Sequence, residues 1–179
     1  MTEIIINRCR EGDAGAQKWL YEQFANRMYR ICYRYLKDEL HAEDALISGF
    51  MKVFQHLHQL DYRGDASLEA WIKRIMVNES LLLLRRNYNF NWVDEARAER
   101  YASGLQADAE LNAEEIYALI LQLPVGYRTV FNLYVIEGYA HQEIANQLNI
   151  SESTSKSQLS KARAALRLLL IKHGITYEN

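Results

Sequence analysis

Residues 138–163 read Gly138-Tyr139-Ala140-His141-Gln142-Glu143-Ile144-Ala145-Asn146-Gln147-Leu148-Asn149-Ile150-Ser151-Glu152-Ser153-Thr154-Ser155-Lys156-Ser157-Gln158-Leu159-Ser160-Lys161-Ala162-Arg163, and the fold turns on this stretch. Ile144, Ala145 and Leu148 share one face of a short helix that stops at Asn149-Ile150-Ser151. A second helix starts with Ser151 as N-cap, because its hydroxyl can accept an otherwise orphaned amide, and runs to Gly174, a residue type that ends helices. The pair reads as a helix-turn-helix.

At about 100° per residue, Leu159, Ala162, Leu166 and Leu169 of the second helix fall on one face, which the spacing buries. Lys156, Ser157, Ser160, Lys161, Arg163 and Arg167 fall on the other side. From Ser153 to Lys172 the helix carries five basic residues and no acid. A short polar N-terminal segment of such a helix fits a major groove, while cations downstream hold phosphates. The plainer alternative is a surface helix with a solvated charged face.

The chain has 179 residues, 49% of them apolar, with one proline, which suits one domain or two small ones and excludes a disordered chain. No apolar run approaches the roughly 20 residues needed to span a bilayer, Leu81 to Leu84 being a notable short one. The start lacks the basic region and cleavage site of a signal peptide, so the expected compartment is the cytoplasm, without direct membrane insertion. Cys9 and Cys32 lie far apart and read as small buried side chains. His56 and His58, two apart on a helix, point in different directions and read as a solvated edge, so no metal or other cofactor is expected.

The net charge of −2 is unevenly spread: +1 over residues 1–86, −5 over 87–115 and +2 over 116–179. Binding to a polyanion responds to the local field of each surface, so the acidic middle does not argue against a DNA-binding end. Periodicity is all-helical, with helices expected over 3–11, 13–37, 40–59, 67–87, 112–122, 125–136, 140–147 and 152–173. The triplet Ile4 to Ile6 is the ambiguous spot and reads better as a helix start than as a strand. Asp61-Tyr62-Arg63-Gly64-Asp65 is a turn cluster. The fold class is therefore all-α: an N-terminal helical domain over 1–90, an acidic linker over 91–111, and a C-terminal helix-turn-helix domain over 112–179.

Several strings in order and spacing carry a resemblance. They are Gly12-Asp13, Tyr35-Leu36-Lys37-Asp38, Ala42-Glu43-Asp44, Phe50-Met51-Lys52-Val53-Phe54 and Trp71-Ile72-x-Arg74-Ile75-x-Val77-Asn78 in the first half. In the second half they are Leu123-Pro124-x-Gly126-Tyr127-Arg128, Glu143-Ile144-Ala145 and Thr154-x-Lys156-Ser157-x-Leu159-x-Lys161-Ala162-Arg163. Over nearly its whole length the chain resembles the small two-domain sigma factors of the extracytoplasmic-function (ECF) group. The resemblance implies a non-catalytic subunit that directs core RNA polymerase to promoters and supports promoter melting, with core polymerase and promoter DNA as partners. It also implies a possible anti-sigma factor.

The resemblance also implies sites. The helix beginning at Ala42-Glu43-Asp44 would contact core polymerase through Asp44, Ile47, Ser48, Met51 and Lys52, while Leu46, Phe50, Val53 and Leu57 form its core stripe. Ile47 and Ser48 stand where the family usually has a Gln and an acid, so this surface is greasier than usual. The alternative that Ile47 and Met51 extend the core stays open. Gly49 sits mid-helix, at a cost of about 1 kcal/mol relative to Ala.

Unpaired bases of the minus-ten element would meet Tyr62, Arg63, Lys73, Arg74, Asn78 and Arg85, which supply an aromatic for stacking, an amide for a base edge and cations for the backbone. Arg74, Asn78 and Arg85 share a side of one helix, Trp71 and Ile75 read as core, and Tyr62 reads equally well as a packing residue of the turn. Duplex minus-thirty-five DNA would meet Thr154, Lys156, Ser157, Ser160, Lys161, Arg163 and Arg167, with Lys161 the candidate for guanine O6 and N7. Ser155 and Gln158 depart from the family pattern and lean inward. A second reading remains open at this point: a helix-turn-helix regulator whose N-terminal helices dimerise or sense. No nucleophile or metal set accompanies His41, Glu43 and Asp44, so an enzyme is not expected.

Overall fold

A computed structural model describes residues 2–87 and 113–173. The described helices belong to two units, Met1–Tyr88 and Asn89–Asn179. The proposed acidic linker over 91–111 and Gly174 lie outside the described residues.

The first unit contains α1 (Thr2–Arg10), α2 (Ala14–Leu36), α3 (Glu39–His56), a 3₁₀ turn (Leu57–Gln59) and α4 (Asp65–Asn87). Ile4 to Ile6 lie in α1, so the ambiguous triplet is helical. Short polar side chains set the helix boundaries. The Asp13 carboxylate accepts the Ala16 amide at 3.0 Å, and its other oxygen takes the Arg8 guanidinium at 2.7 Å. Those bonds, the amide first and the guanidinium second, hold its carboxyl below the usual range. At the end of α2, Lys37 takes a left-handed conformation (φ 53°) with its amide on Tyr33 O, and the Asp38 carboxylate then accepts the His41 amide at 2.8 Å to open α3. The strings Gly12-Asp13 and Leu36-Lys37-Asp38 thus form the capped turns between consecutive helices of the unit.

α2, α3 and α4 pack on one another, with Met28, Phe50, Val53, Leu68 and Ile72 in the shared core. Arg10 ties α1 to the 3₁₀ turn after α3, donating from Nε to Leu57 O at 3.2 Å, a carbonyl that also accepts the Leu60 amide, and from Nη2 to Leu60 O at 2.8 Å. Gly49 has a packing reason. A Cβ there would lie 2.8 Å from the Cε of buried Met76 on α4 and nearer still to its Sδ, so any larger residue would have to displace the end of the Met76 side chain. Cys9 and Cys32 are both buried free thiols, and burial pushes Cys32 up to about 11.

The second unit contains α5 (Ala113–Gln122), α6 (Val125–Phe131), a π-helical turn (Asn132–Ile136), α7 (His141–Leu148) and α8 (Glu152–Lys172). Leu119, Leu123, Ala162, Ala165 and Leu169 form its core, with Tyr127 and Phe131 packed against them. The buried Arg128 donates from Nη1 to Leu123 O at 2.7 Å, closing the end of α5, which is what the Leu123-to-Arg128 string does. One expectation changes here. The helix read over 125–136 breaks at Phe131 into the π turn, in which the Glu137 amide reaches back five residues to Asn132 O at 2.9 Å. A single turn of this kind shifts the apolar register over too few residues for the periodicity to reveal it.

α7 closes on Asn149 in the left-handed region (φ 54°), and α8 opens on Ser151, whose Oγ accepts the Thr154 amide at 3.0 Å, as the sequence requires. Ile144, Ala145 and Leu148 are buried, and so are Leu159, Ala162 and Leu169. Among the described residues no helix is long and apolar enough to cross a membrane.

Candidate nucleic-acid interface

On α8 the side chains expected to face outward do so: Lys156, Ser157, Ser160, Lys161, Arg163 and Arg167 are all exposed. They form two rows by helical spacing. Lys156, Ser160, Arg163 and Arg167 make a row that is cationic at three of four positions, and Ser157 and Lys161 begin a second row that continues into Ala164 and Leu168. Leu168 (62%) and Ile171 (53%) are exposed, so the outward face turns apolar in its last turns.

Two expected contacts are engaged within the chain. Lys156 Nζ pairs with Glu152 Oε1 at 2.6 Å, one turn back, and that pair holds the Glu152 carboxyl below its usual range. The Thr154 hydroxyl lies 2.8 Å from Ser151 Oγ in the N-cap. Arg163 has no acid partner among the described residues. Its guanidinium lies over the Tyr134 ring, 5.9 Å from the centroid.

Ser155 and Gln158 are buried, as their inward lean requires. The Ser155 hydroxyl is satisfied across the motif by His141 Nδ1 at 2.9 Å, whereas Gln158 Oε1 is buried without a partner among the described residues. His141 stacks on Tyr134 with centroids 4.3 Å apart and planes 20° from parallel. Burial first, and then the positive charge of Lys156 and Arg163 against an opposing pull from Glu152, lowers the imidazole below its ordinary value. Neither Tyr134 nor His141 stood out in the sequence, since the contact crosses from the π turn to α7.

In the first unit, Arg74, Asn78 and Arg85 lie exposed along one side of α4, and Trp71 and Ile75 are half-buried beside the core. Lys73 is half-buried and engaged within the chain. The Tyr62 hydroxyl donates to Asp65 Oδ1 at 2.7 Å, which lowers the Asp65 carboxyl and raises the phenol, and Arg63 pairs with Asp61 at 2.6 Å. These bonds bridge the turn, and the Tyr62 ring is half-exposed at the start of α4.

α3 presents a different surface. Ile47 (55%) and Met51 (58%) point into solvent, so they do not extend the core. Asp44 and Ser48 are exposed beside them. Lys52 turns away, its ammonium bonded to the buried Glu79 carboxylate of α4 at 2.5 Å. Leu40 (66% exposed) completes the row at spacings of seven and four with Ile47 and Met51, a register that the sequence already held.

One unit thus ends in a helix-turn-helix with a cationic outer row, the arrangement of a DNA-binding protein, and the other exposes an apolar row with acids beside it. Two family models match the chain: Sigma-70 region 2 over residues 20–89, and Sigma-70, region 4, over residues 113–166. The ECF RNA polymerase sigma factor SigM of Bacillus subtilis is 26% identical over 153 residues, 84% of this chain and 92% of that protein. SigE of Mycolicibacterium smegmatis, another ECF sigma factor, is 31% identical over 176 residues, 91% of this chain and 66% of that protein. Among solved structures, the sigma factor RpoE of Bartonella quintana, in complex with the anti-sigma factor NepR, is similar in fold, with a TM-score of 0.50 at 21% identity over 86% of this chain and 96% of that one.

The chain belongs to the ECF RNA polymerase sigma factors. It is a sigma factor that directs transcription initiation at promoters, which decides between the two readings left open by the sequence. The family is one of promoter-directing subunits, not of enzymes.

Proposed function

We propose that the two units divide the work of initiation, with no catalysis of their own, on core RNA polymerase and promoter DNA in the cytoplasm. The observation that carries this reading is that the outward rows of the two units differ in chemistry: apolar on α3, cationic with an amide on α4, cationic with hydroxyls on α8. The Leu40, Asp44, Ile47, Ser48 and Met51 row of α3 suits a protein surface, since apolar side chains exposed together on a unit with a complete core are stabilised by a partner. Lys52 supports that row from behind by bonding Glu79.

The Arg74, Asn78 and Arg85 side of α4, with Tyr62 and Arg63 at its entrance, meets the melted minus-ten element; Lys73 lies at its flank. Exposed cations there attract the backbone, the amide reads a base edge, and the half-exposed ring offers a stacking face. The α8 rows meet duplex minus-thirty-five DNA: Ser157, Ser160 and Lys161 at base edges, Arg163 and Arg167 at phosphates. Lys156 joins them once it leaves Glu152, and Thr154 acts at the cap of the helix. An anti-sigma factor, the kind of partner bound in the Bartonella quintana complex, would cover these rows and hold the chain inactive.

Reconstitution tests the whole. The full chain is added to core polymerase with fragmented DNA of its source genome, and transcript starts are mapped. Starts sharing one minus-thirty-five and minus-ten pair are expected, and starts no different from those of core polymerase alone would overturn the reading.

A further inference from the structure

The cationic row of α8 contains one member whose position is set from outside the helix. Among the described residues Arg163 has no acid beside it, unlike Lys156, and its guanidinium rests over the face of Tyr134, 5.9 Å from the ring centroid. Tyr134 comes from the π turn and is itself stacked on His141 of α7, centroids 4.3 Å apart. His141 in turn shares a 2.9 Å hydrogen bond with the hydroxyl of Ser155, a group with no exposure, whose need for a partner fixes the imidazole.

Three elements therefore converge in one chain of contacts: buried hydroxyl, imidazole, phenol ring, guanidinium. An unsupported arginine on a helix surface samples many rotamers and loses that freedom on binding, whereas a guanidinium already seated on a ring loses less.

We propose that Tyr134, held by its stack on His141, is a positioning residue for DNA binding, aiming the Arg163 guanidinium at a backbone phosphate of the duplex. The inference rests on the assignment of α8 to duplex DNA. It adds two residues, neither on the recognition helix, to the apparatus that binds promoter DNA. Tyr134 acts through Arg163, so its effect must vanish when Arg163 is absent.

The test is a double-mutant cycle on the full chain, read by binding to a pool of short random-sequence DNA duplexes at several salt concentrations, with thermal unfolding of each variant alongside. Arg163→Ala should weaken binding evenly across sequences and lower the salt slope by about one unit. Tyr134→Leu should weaken binding about two- to fivefold, the worth of an exposed ring-to-cation contact, and Tyr134→Phe, which keeps the ring, should restore it. His141→Ala should reproduce part of the loss, which keeps the test alive should Tyr134→Leu not fold. In the Arg163→Ala background all three substitutions should cost nothing further.

A separate readout addresses the stack itself. The ring-current shift on the His141 imidazole proton in NMR should disappear in Tyr134→Leu and persist in Tyr134→Phe. Equal losses from Tyr134→Leu with and without Arg163 would overturn the proposal while leaving α8 as the DNA reader. No effect of Arg163→Ala, or no measurable duplex binding by the wild-type chain at low salt, would overturn the phosphate assignment and the proposal with it.

Discussion

His141 shows how a residue with no motif value on paper acquires one through its neighbours. Burial and the cations Lys156 and Arg163 lower its proton affinity in the folded state, so the unfolded chain binds a proton at a higher pH than the folded chain does. Stability from this site is therefore full above the ordinary imidazole range and falls as the pH drops from there toward the lower folded value. Thermal unfolding of the full chain should show the midpoint of the second unit falling with acidification across that window, with a weaker fall in His141→Gln; parallel curves would mean that His141 contributes nothing to it.

Lys161 and Arg167 separate by reach. Lys161 is exposed in the middle of α8 on the row that begins at Ser157, whereas Arg167 lies nearly two turns farther along, on the row of Arg163. In the reconstituted polymerase, Lys161→Ala should flatten preference within the minus-thirty-five element by about 1–3 kcal/mol. Arg167→Ala should weaken all promoters alike. Transcription from a panel of substituted promoters at two salt concentrations distinguishes them, and equal, sequence-independent losses would reduce Lys161 to a phosphate contact. Outward placement of both residues was legible in the sequence because helical spacing fixes which side each takes. The Glu152 pairing of Lys156 follows from the same spacing, one turn apart, yet only the structure shows that the pair is made.

Among the helices, α3 carries two jobs on opposite sides, and its inner side depends on a glycine. Read alone, Gly49 costs a helix about 1 kcal/mol. Packed, it is the point where Met76 of α4 enters. Gly49→Ala should gain that propensity but lose about 1–3 kcal/mol to overpacking, for a net loss near 1 kcal/mol in urea unfolding. Repeating it in a Met76→Ala background should abolish the loss; a stabilised Gly49→Ala single variant would show that Met76 gives way freely.

The outer side of α3 is tested by charge. Asp44→Arg and Met51→Glu alter exposed side chains, so each should fold normally and bind core polymerase at least tenfold more weakly, the order of one misplaced charge at an interface. Unchanged affinity in both would remove the α3 row from the polymerase contact. Leu40 belongs to this row, and its spacing to Ile47 and Met51 made it as legible as they were.

Across the molecule, the proposed minus-ten and minus-thirty-five contacts fall on separate units, so they should fail separately. Asn78→Ala should reduce discrimination among minus-ten sequences and leave the ranking of minus-thirty-five variants as in the wild type. A substitution on α4 that reordered minus-thirty-five preferences would contradict that division. Tyr62 is the finer question in this region: the sequence allowed a stacking ring or a packing ring. The structure ties its hydroxyl to Asp65 and leaves the ring half-exposed, a geometry compatible with both.

What the sequence determined by itself was local. Apolar spacing, the cap at Ser151 and the stop at Asn149-Ile150-Ser151 depend on residues within a few positions of one another, so the helices, their faces and the helix-turn-helix were readable from order alone. The strings of the sigma factor family were readable for the same reason. Tertiary structure decided what depends on contacts between elements: Gly49 against Met76, Lys52 drawn to Glu79, Ser155 satisfied by His141, and Arg163 seated on Tyr134. Those pairs are 27, 27, 14 and 29 residues apart in the chain, a separation that no helical period encodes and that only packing brings within a few ångströms.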